Sequence, residues 1–319
     1  MKRLTALVLA LLLLMSLTAC GGAKDDIYVV RVCQLTPHVA LDAATQGFID
    51  ALIEELGEEN VDIEVEIGGG DTATCAPIVT SFVADNVDLI MANATPALQA
   101  AVAATTDIPI LGTSVTEYGV ALDIKNFDGL VGGNVSGTSD LAPLDQQAAM
   151  VKEWFPDAKT VGLIYCAAEA NSQYQVDTVQ KELEALGYTC TQYSFSDSND
   201  LQAVAQKAAD ESDVIYVPTD NTVASAAGIV NDVCTAAGVP VIAGEEGICG
   251  GCGVATLSIS YYDLGVKTGK MAAMILKGEA DISEMEIAYA DTFTKKYNPV
   301  ICEALGLTAP EGYIAIEMQ

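Results

Sequence analysis

Strand and helix signals alternate along most of the chain, which leaves few folds open to it. Short runs of β-branched and aromatic residues are followed by longer stretches whose apolar residues recur at helical spacing. Strands that alternate with helices predict parallel sheets covered by helices. The first series consists of strands 27–33, 61–67, 88–92 and 109–111 and of helices 41–56, 75–85 and 97–105.

The alternation stops at residues 129–139, a stretch rich in Gly, Ser, Thr and Asn, and then begins again. Two series of similar length predict an α/β protein with two doubly wound, Rossmann-like parallel sheets, one in each of two lobes. A later helix over 262–277 is expected to cross back to the first lobe. The second series consists of helices 143–155, 172–186, 201–211 and 223–237 and of strands 160–165, 188–195, 214–217 and 239–243.

The first twenty residues have the pattern of a secretory signal. Lys2 and Arg3 precede an apolar core at 7–14, and Leu-Thr-Ala-Cys at 17–20 resembles a bacterial lipobox. We therefore predict a lipoprotein signal peptide over 1–19, a lipidated Cys20, and a tether over 20–26. An ordinary signal peptide with a chance cysteine is the alternative.

The excess of acidic residues disfavours negatively charged binding partners. The chain has 44 acidic and 14 basic residues, a formal net charge of -30. Such a surface repels nucleic acid phosphates and anionic lipid headgroups, so neither is an expected partner. The chain is 51% hydrophobic, which is enough for packed cores.

The cysteines and the single histidine do not predict a metal site. Cys249 and Cys252 form the one local pair, and zinc would require a second pair or nearby histidines, whereas His38 is the only histidine. A local disulfide or two free thiols are both open for this pair. No metal and no cofactor are expected.

Polar residues follow the predicted strands at their carboxyl ends, where open parallel sheets bind ligands. No Lys or Arg stands among them, which disfavours a phosphate site. Hydroxyls and helix N-termini can hold a carboxylate, and Asp or Glu can hold an ammonium, so the set suits a zwitterion. Its members are His38, Asp42, Thr95, Ser114, Thr116, Glu117, Glu169, Asn171, Ser172, Asp220, Asn221, Thr222, Glu245 and Glu246, with Tyr118, Tyr165, Tyr261 and Tyr262 as apolar walls.

Structural roles compete with ligand binding at several of these positions. Asn171, Ser172 and Thr222 are also suitable helix N-caps, and a lone His38 is more often structural. Asp220 is expected to contact the ligand, because Asn221 or Thr222 could cap the following helix without it.

An enzyme is the competing class of protein. The sequence contains no G-x-S-x-G, H-E-x-x-H or P-loop motif. A pair of carboxylates acting as acid and base stays open. A tethered, two-lobed protein with polar residues on both lobes fits capture and release better, so we expect a binding protein.

Several motifs together resemble one known family, the substrate-binding lipoproteins of ABC importers in the tryptophan/tyrosine (TrpX-like) group. They occur in order over nearly all of the chain after Cys20. Three places depart from the usual pattern: Val39 stands in place of Pro, Gly244-Glu245 in place of Ser-Asp, and Cys249-Gly250-Gly251-Cys252 in place of a more polar loop. The motifs are HVALDAA at 38–44, ATPA at 94–97, SVT at 114–116, GNVSG at 133–137, EANS at 169–172, VPTDNTV at 217–223 and YYDLG at 261–265.

This resemblance implies a type I periplasmic-binding-protein fold whose two lobes, joined by a three-strand hinge, close on an L-amino acid, often an aromatic one. It implies an ABC permease as partner, an extracytoplasmic, lipid-anchored location, and a monomer. We predict an N-terminal lobe over 27–139 and 257–288 and a C-terminal lobe over 140–256 and 289–319. A sugar or nucleoside binder is the alternative. The site residues implied by the motifs are Thr95, Ser114, Thr116, Asn171, Ser172, Asp220 and Asn221, to which the strand ends add His38, Asp42 and Glu245.

Overall fold

The computed structural model describes residues 27–317. The predicted signal peptide, Cys20 and the tether lie outside the described residues. Within 27–317, no helix is long and apolar enough to cross a membrane.

The first sheet contains six parallel strands in the order β11-β5-β4-β3-β1-β2. The strands are β1 (Tyr28–Gln34), β2 (Val61–Ile67), β3 (Leu89–Asn93), β4 (Ile110–Val115), β5 (Val135–Ser139) and β11 (Ala288–Tyr289). The helices of this lobe are α1 (Val39–Leu56), α2 (Thr72–Ala84), α3 (Thr95–Ala104), α4 (Tyr118–Ala121) and α11 (Tyr261–Leu276).

The second sheet contains seven strands in the order β13-β12-β10-β9-β8-β6-β7, parallel except where β10 pairs with β12. The strands are β6 (Thr160–Cys166), β7 (Thr189–Phe195), β8 (Val214–Val217), β9 (Val241–Ala243), β10 (Ala255–Ser258), β12 (Thr294–Tyr297) and β13 (Ile314–Ala315). Its helices are α5 (Leu144–Trp154), α6 (Ala170–Ala185), α7 (Ser198–Glu211), α8 (Asn221–Ser225), α9 (Ala227–Ala237), α10 (Glu246–Cys252) and α12 (Pro299–Ala304). The predicted α/β class with two doubly wound sheets is confirmed.

The chain passes between the two sheets three times: after β5, after β10 and after β11. After the second passage α11 packs along α1 in the first lobe. Strand β10 extends the second sheet to Ser258. The lobe boundaries at 140, 257 and 289 stay a prediction.

Two segments of the second lobe differ from the sequence-based prediction. The helix predicted over 223–237 is two helices, because Ala226, with φ −132° and ψ 23°, interrupts it. The Cys249-Gly250-Gly251-Cys252 segment, for which the sequence predicted no helix, lies in α10. The lack of a side chain at Gly251 lets α10 pack closely on α9, since a Cβ there would overlap the side chain of Ala227. Cys249 and Cys252 are buried free thiols.

Strand β5 lies within the polar stretch that separates the two predicted series. Its burial is possible because hydroxyl groups pair with one another inside the lobe. The Thr138 Oγ1 atom lies 3.0 Å from Thr113 Oγ1 and 2.8 Å from Thr268 Oγ1, and the Tyr118 hydroxyl donates to the Thr138 carbonyl. A strand without apolar periodicity thus becomes part of the core.

Candidate ligand-binding site

The carboxyl ends of strands from both sheets meet at a narrow cavity between the lobes. His38 of the first lobe and Asn221 of the second are hydrogen-bonded across it, with 3.2 Å between Nε2 and Oδ1. The cavity has a volume of about 10 Å³, room for about one water, so the lobes are closed on each other. Its lining is His38, Leu41, Ser114, Thr116, Asp140, Asn171, Thr219, Asp220, Asn221, Ala224, Glu245 and Tyr261.

Seven of the ten predicted site residues line this cavity, and three are not part of its lining. Asp42 accepts a hydrogen bond from Gln34 Nε2 at 2.6 Å. Thr95 is buried in the first turn of α3, and Ser172 is buried in the first turn of α6. The predicted residues on the lining are His38, Ser114, Thr116, Asn171, Asp220, Asn221 and Glu245.

The first lobe offers groups that suit an anion. The N-terminus of α1 faces the cavity through His38 and Leu41, and His38 makes no side-chain capping bond within the described residues. Ser114 has a left-handed backbone, with φ 53°, and its buried Oγ finds no partner within 27–317. A strained residue with an unpaired hydroxyl at a strand end is typical of a binding site. Burial lowers the pKa of His38.

Asp220 lies on the second lobe's side, but it is also the N-cap of α8. Its Oδ1 accepts the Val223 N–H at 2.9 Å and its Oδ2 accepts the Cys166 N–H at 2.7 Å. The expectation that Asn221 or Thr222 caps this helix without Asp220 is therefore wrong. Burial, and after it the Glu169 carboxylate, raise the pKa of Asp220 against the lowering effect of the two N–H bonds, and the resulting pKa is about 7.

Glu169 holds the start of α8 from the end of β6. Its carboxylate accepts four hydrogen bonds of 2.6 to 3.1 Å, from the backbone and side chain of Asn221 and from the backbone and side chain of Thr222. Asn171 lies beside it and donates to the Thr219 carbonyl, while its buried Oδ1 has no partner among the described residues. Asn221 and Thr222 are thus fixed by Glu169.

Sequence reasoning missed Asp140 and the role of Tyr261. Asp140 follows β5 directly, and its strand-end position was invisible because β5 itself was not predicted. Tyr261 was expected only as an apolar wall, yet its hydroxyl donates to Asp140 Oδ2 at 2.8 Å. Both residues line the cavity.

A second cavity, of about 640 Å³, adjoins the first and shares Ala224, Glu245 and Tyr261 with it. This volume is in the range of small-molecule pockets. Its walls come from both lobes and are largely small or apolar, with an ion pair of 2.6 Å between Lys296 and Glu246. They include Val39, Ala40, Ala43, Ala227, Gly250, Gly251, Ile259 and Tyr262.

Glu245 caps α10 through the N–H groups of Gly247 and Ile248. Burial raises the pKa of Glu245 from 4.5 to about 7, although the hydrogen bonds from the two N–H groups lower it. Between these pH values the folded protein keeps a proton that the unfolded chain has lost. Stability therefore falls as the pH rises through this window.

We expect the free energy of unfolding of the wild type to fall by about 3 kcal/mol more than that of Glu245→Gln between pH 4 and 8. Urea denaturation across this range measures the difference. The exposed Glu182→Gln corrects for the loss of one negative charge. Equal pH dependence in wild type and Glu245→Gln would contradict the raised pKa.

Comparison with known proteins decides the family. The model of the family described as "ABC transporter substrate binding protein" matches residues 29–317. The chain belongs to this family. The resemblance predicted from the motifs is confirmed, and the protein is an ABC transporter substrate-binding protein.

Related proteins are similar to this substrate-binding protein over most of its length. A tyrosine-binding protein of Clostridioides difficile (strain R20291) is 38% identical over 254 residues, which are 79% of this chain and 73% of that protein. An ABC domain in complex with L-Trp from Streptococcus pneumoniae is 31% identical with a TM-score of 0.85, over 91% of this chain and 99% of that one.

A comparison with an open relative bears on whether the two lobes are open or closed. The ligand-free, open structure of a Clostridium difficile substrate-binding protein with adhesive properties is 37% identical, over 92% of this chain and all of that one, with a TM-score of 0.70. This open structure is more similar in sequence than the L-Trp complex, yet it superimposes less well, with a TM-score of 0.70 against 0.85. The difference fits the closed lobes seen here. A Streptococcus pneumoniae branched-chain amino acid binding protein in complex with isoleucine, at 16% identity, TM-score 0.59 and 81% and 86% coverage, shares the fold.

Proposed function

We propose that the protein captures an aromatic L-amino acid, tryptophan or tyrosine, between its lobes and delivers it unchanged to an ABC permease. The observation that carries this proposal is the polar cavity, where the α1 N-terminus and hydroxyls face buried carboxylates. No Lys or Arg lines it among the described residues. An amino acid's carboxylate suits the first set of groups and its ammonium suits the second.

The adjoining cavity accounts for the side chain. It begins at Ala224 and Tyr261, on the lining of the polar cavity, so a ligand held by its charged groups extends into it. Its small and apolar walls leave room for an aromatic ring. Ser258 and the Glu246 carboxylate on its wall can accept a hydrogen bond from a phenol or an indole N–H. The names of the tyrosine-binding relative and of the L-Trp complex support the same class of ligand.

Calorimetric titration tests this function directly. The panel is L-Trp, L-Tyr, L-Ile, D-Trp, glucose and adenosine, with mass analysis of each ligand afterwards. Tight binding of L-Trp or L-Tyr, weak binding of D-Trp and recovery of an unchanged ligand are expected. Binding only of glucose or adenosine would favour the sugar or nucleoside alternative, and a chemically altered ligand would indicate an enzyme.

The location of the protein is part of the proposal. ABC transporter substrate-binding proteins act outside the cytoplasm, and we infer that this one is a monomer attached to the membrane by lipid on Cys20. The Leu-Thr-Ala-Cys sequence after a basic, apolar leader supports this inference.

Cys20→Ala is expected to abolish lipidation, because the lipid would be attached to the thiol of Cys20. Labelling of cells with a radioactive fatty acid, followed by fractionation, measures the effect. The wild type should carry the label in the membrane fraction, and the variant should carry none. Cys190→Ala, at a partly buried thiol, is the control that should keep the label. An unlabelled wild type would refute the anchor.

A further inference from the structure

Asp140 is a buried carboxylate with one oxygen that no protein group binds. It follows β5 at the first passage between the sheets, and its side chain is 4% exposed. The Tyr261 hydroxyl donates to Oδ2, whereas Oδ1 accepts no hydrogen bond from any residue in 27–317. Asp140 lines the polar cavity together with Ser114 and Thr116.

An unpaired buried carboxylate oxygen is costly, so it calls for a partner from outside the chain. The groups around Asp140 do not supply a cation. Tyr118, Tyr261 and Glu245 are the nearby titratable groups, and burial raises the pKa of Asp140 while the Tyr261 and Thr116 hydroxyls lower it. A positively charged ligand group would meet this need.

In the other buried carboxylates of the site, both oxygens accept hydrogen bonds from the protein. Asp220 accepts two backbone N–H groups, Glu169 accepts four hydrogen bonds from the start of α8, and Glu245 caps α10. Within the described part of the chain, Asp140 is the one carboxylate whose buried oxygen has no partner. It is therefore better suited to a ligand cation than Asp220, which the sequence favoured.

We propose that Asp140 Oδ1 binds the α-ammonium of the amino acid, with Tyr261 fixing the carboxylate through Oδ2. This assignment rests on the proposed function. It places the ammonium at the hinge, because Asp140 stands at the first passage between the sheets and Tyr261 begins α11 after the second. The hydroxyl of Ser114, whose Oγ has no partner within the described residues, then remains for the ligand's carboxylate.

The test compares an amino acid with its analogue that lacks the amino group. The purified protein is titrated with L-Trp and indole-3-propionate, and with L-Tyr and 3-(4-hydroxyphenyl)propionate. Asp140→Asn should weaken amino acid binding by about tenfold to a hundredfold, since hydrogen bonds to charged groups have that strength. It should not weaken binding of the analogue, so the preference for the amino acid is lost.

Two control variants and one replacement variant accompany Asp140→Asn. Asp145→Asn removes the same charge at an exposed position of α5 and should behave as wild type. Asp220→Asn should lower the melting temperature, because one of its two N–H partners loses its acceptor. If Asp140→Asn melts too low for titration, Asp140→Ser provides the same comparison, since it also removes the carboxylate charge and keeps a small polar side chain.

The possible failures are distinguishable. Wild-type protein that binds neither L-Trp nor L-Tyr overturns the proposed function and the role of Asp140 with it. Tight wild-type binding that Asp140→Asn leaves unchanged overturns the role of Asp140 alone. An equal loss of affinity for amino acid and analogue also overturns it, because that pattern indicates a structural role.

Discussion

Gly265→Ala is expected to lower the free energy of unfolding by about 3 kcal/mol, the upper part of the range for overpacked cores. Gly265 lies where α11 crosses α1 in the first lobe. A Cβ there would overlap the Ala44 carbonyl oxygen and lie 2.9 Å from the Phe48 nitrogen. These are backbone atoms, which cannot rotate away, so the two helices would have to separate. Thermal and urea denaturation measure the loss.

Gly228→Ala is the matched control for this substitution. Gly228 is exposed in α9, and a Cβ on it would meet no atom within 4 Å. Alanine there should leave stability unchanged or raise it by up to about 1 kcal/mol, because glycine is a poor helix former. If Gly265→Ala proved as stable as Gly228→Ala, the close crossing of α1 and α11 would be refuted.

Glu169→Ala is expected to lower the free energy of unfolding by about 3 kcal/mol or more and to weaken ligand binding strongly. It leaves the backbone and side-chain donors of Asn221 and Thr222 without their acceptor. Each buried donor left unpaired costs about 1–3 kcal/mol. Binding falls as well, because Asn221 and Asp220 line the cavity from the segment that Glu169 holds.

The control is Glu182→Ala, at an exposed position of α6, the helix that Glu169 precedes. It should change the free energy of unfolding by less than about 0.5 kcal/mol. Glu169→Gln should be intermediate, because one of its two terminal atoms can still accept. Denaturation and titration of the three variants measure both effects. Equal stability of Glu169→Ala and Glu182→Ala would show that Glu169 does not hold the start of α8.

The sequence predicted eight of the thirteen strands of the described residues, β1 to β4 and β6 to β9, because most of these strands are short apolar runs between strong helix signals. Strand β8, with Val-Ile-Tyr-Val at 214–217, is such a run. The sequence missed β5 and the four strands β10 to β13. Strand β5 escaped prediction because its Val-Ser-Gly-Thr-Ser sequence has no apolar period. Its burial depends on hydroxyl pairs with Thr113 and Thr268, which are distant in sequence.

The sequence predicted which residues lie at the candidate site better than it predicted the hydrogen bonds that each of them makes. Strand ends brought His38, Ser114, Asn171 and Asp220 to one cavity, since parallel strands end at one edge of a sheet. The roles depend on long-range bonds that spacing does not reveal. In Asp220-Asn221-Thr222 each residue is a suitable N-cap, and spacing does not reveal that Asp220 caps through Val223 while its other oxygen accepts the N–H of Cys166, far along the chain.

The proposed role of Asp140 could not be predicted for the same reason. The sequence favoured Asp220 as a ligand contact, but it could not show which buried carboxylate has an oxygen without a partner in the folded protein. That distinction depends on a hydrogen-bond inventory of the folded protein.

Native mass spectrometry of the purified protein shows whether its ligand is an aromatic L-amino acid. The protein is incubated with an equimolar mixture of the L-amino acids, glucose and adenosine, and the bound ligand is then released and identified. We expect a complex with one molecule of tryptophan or tyrosine, released unchanged. A bound sugar or nucleoside, a non-aromatic amino acid in preference to both, or a chemically altered ligand would contradict it.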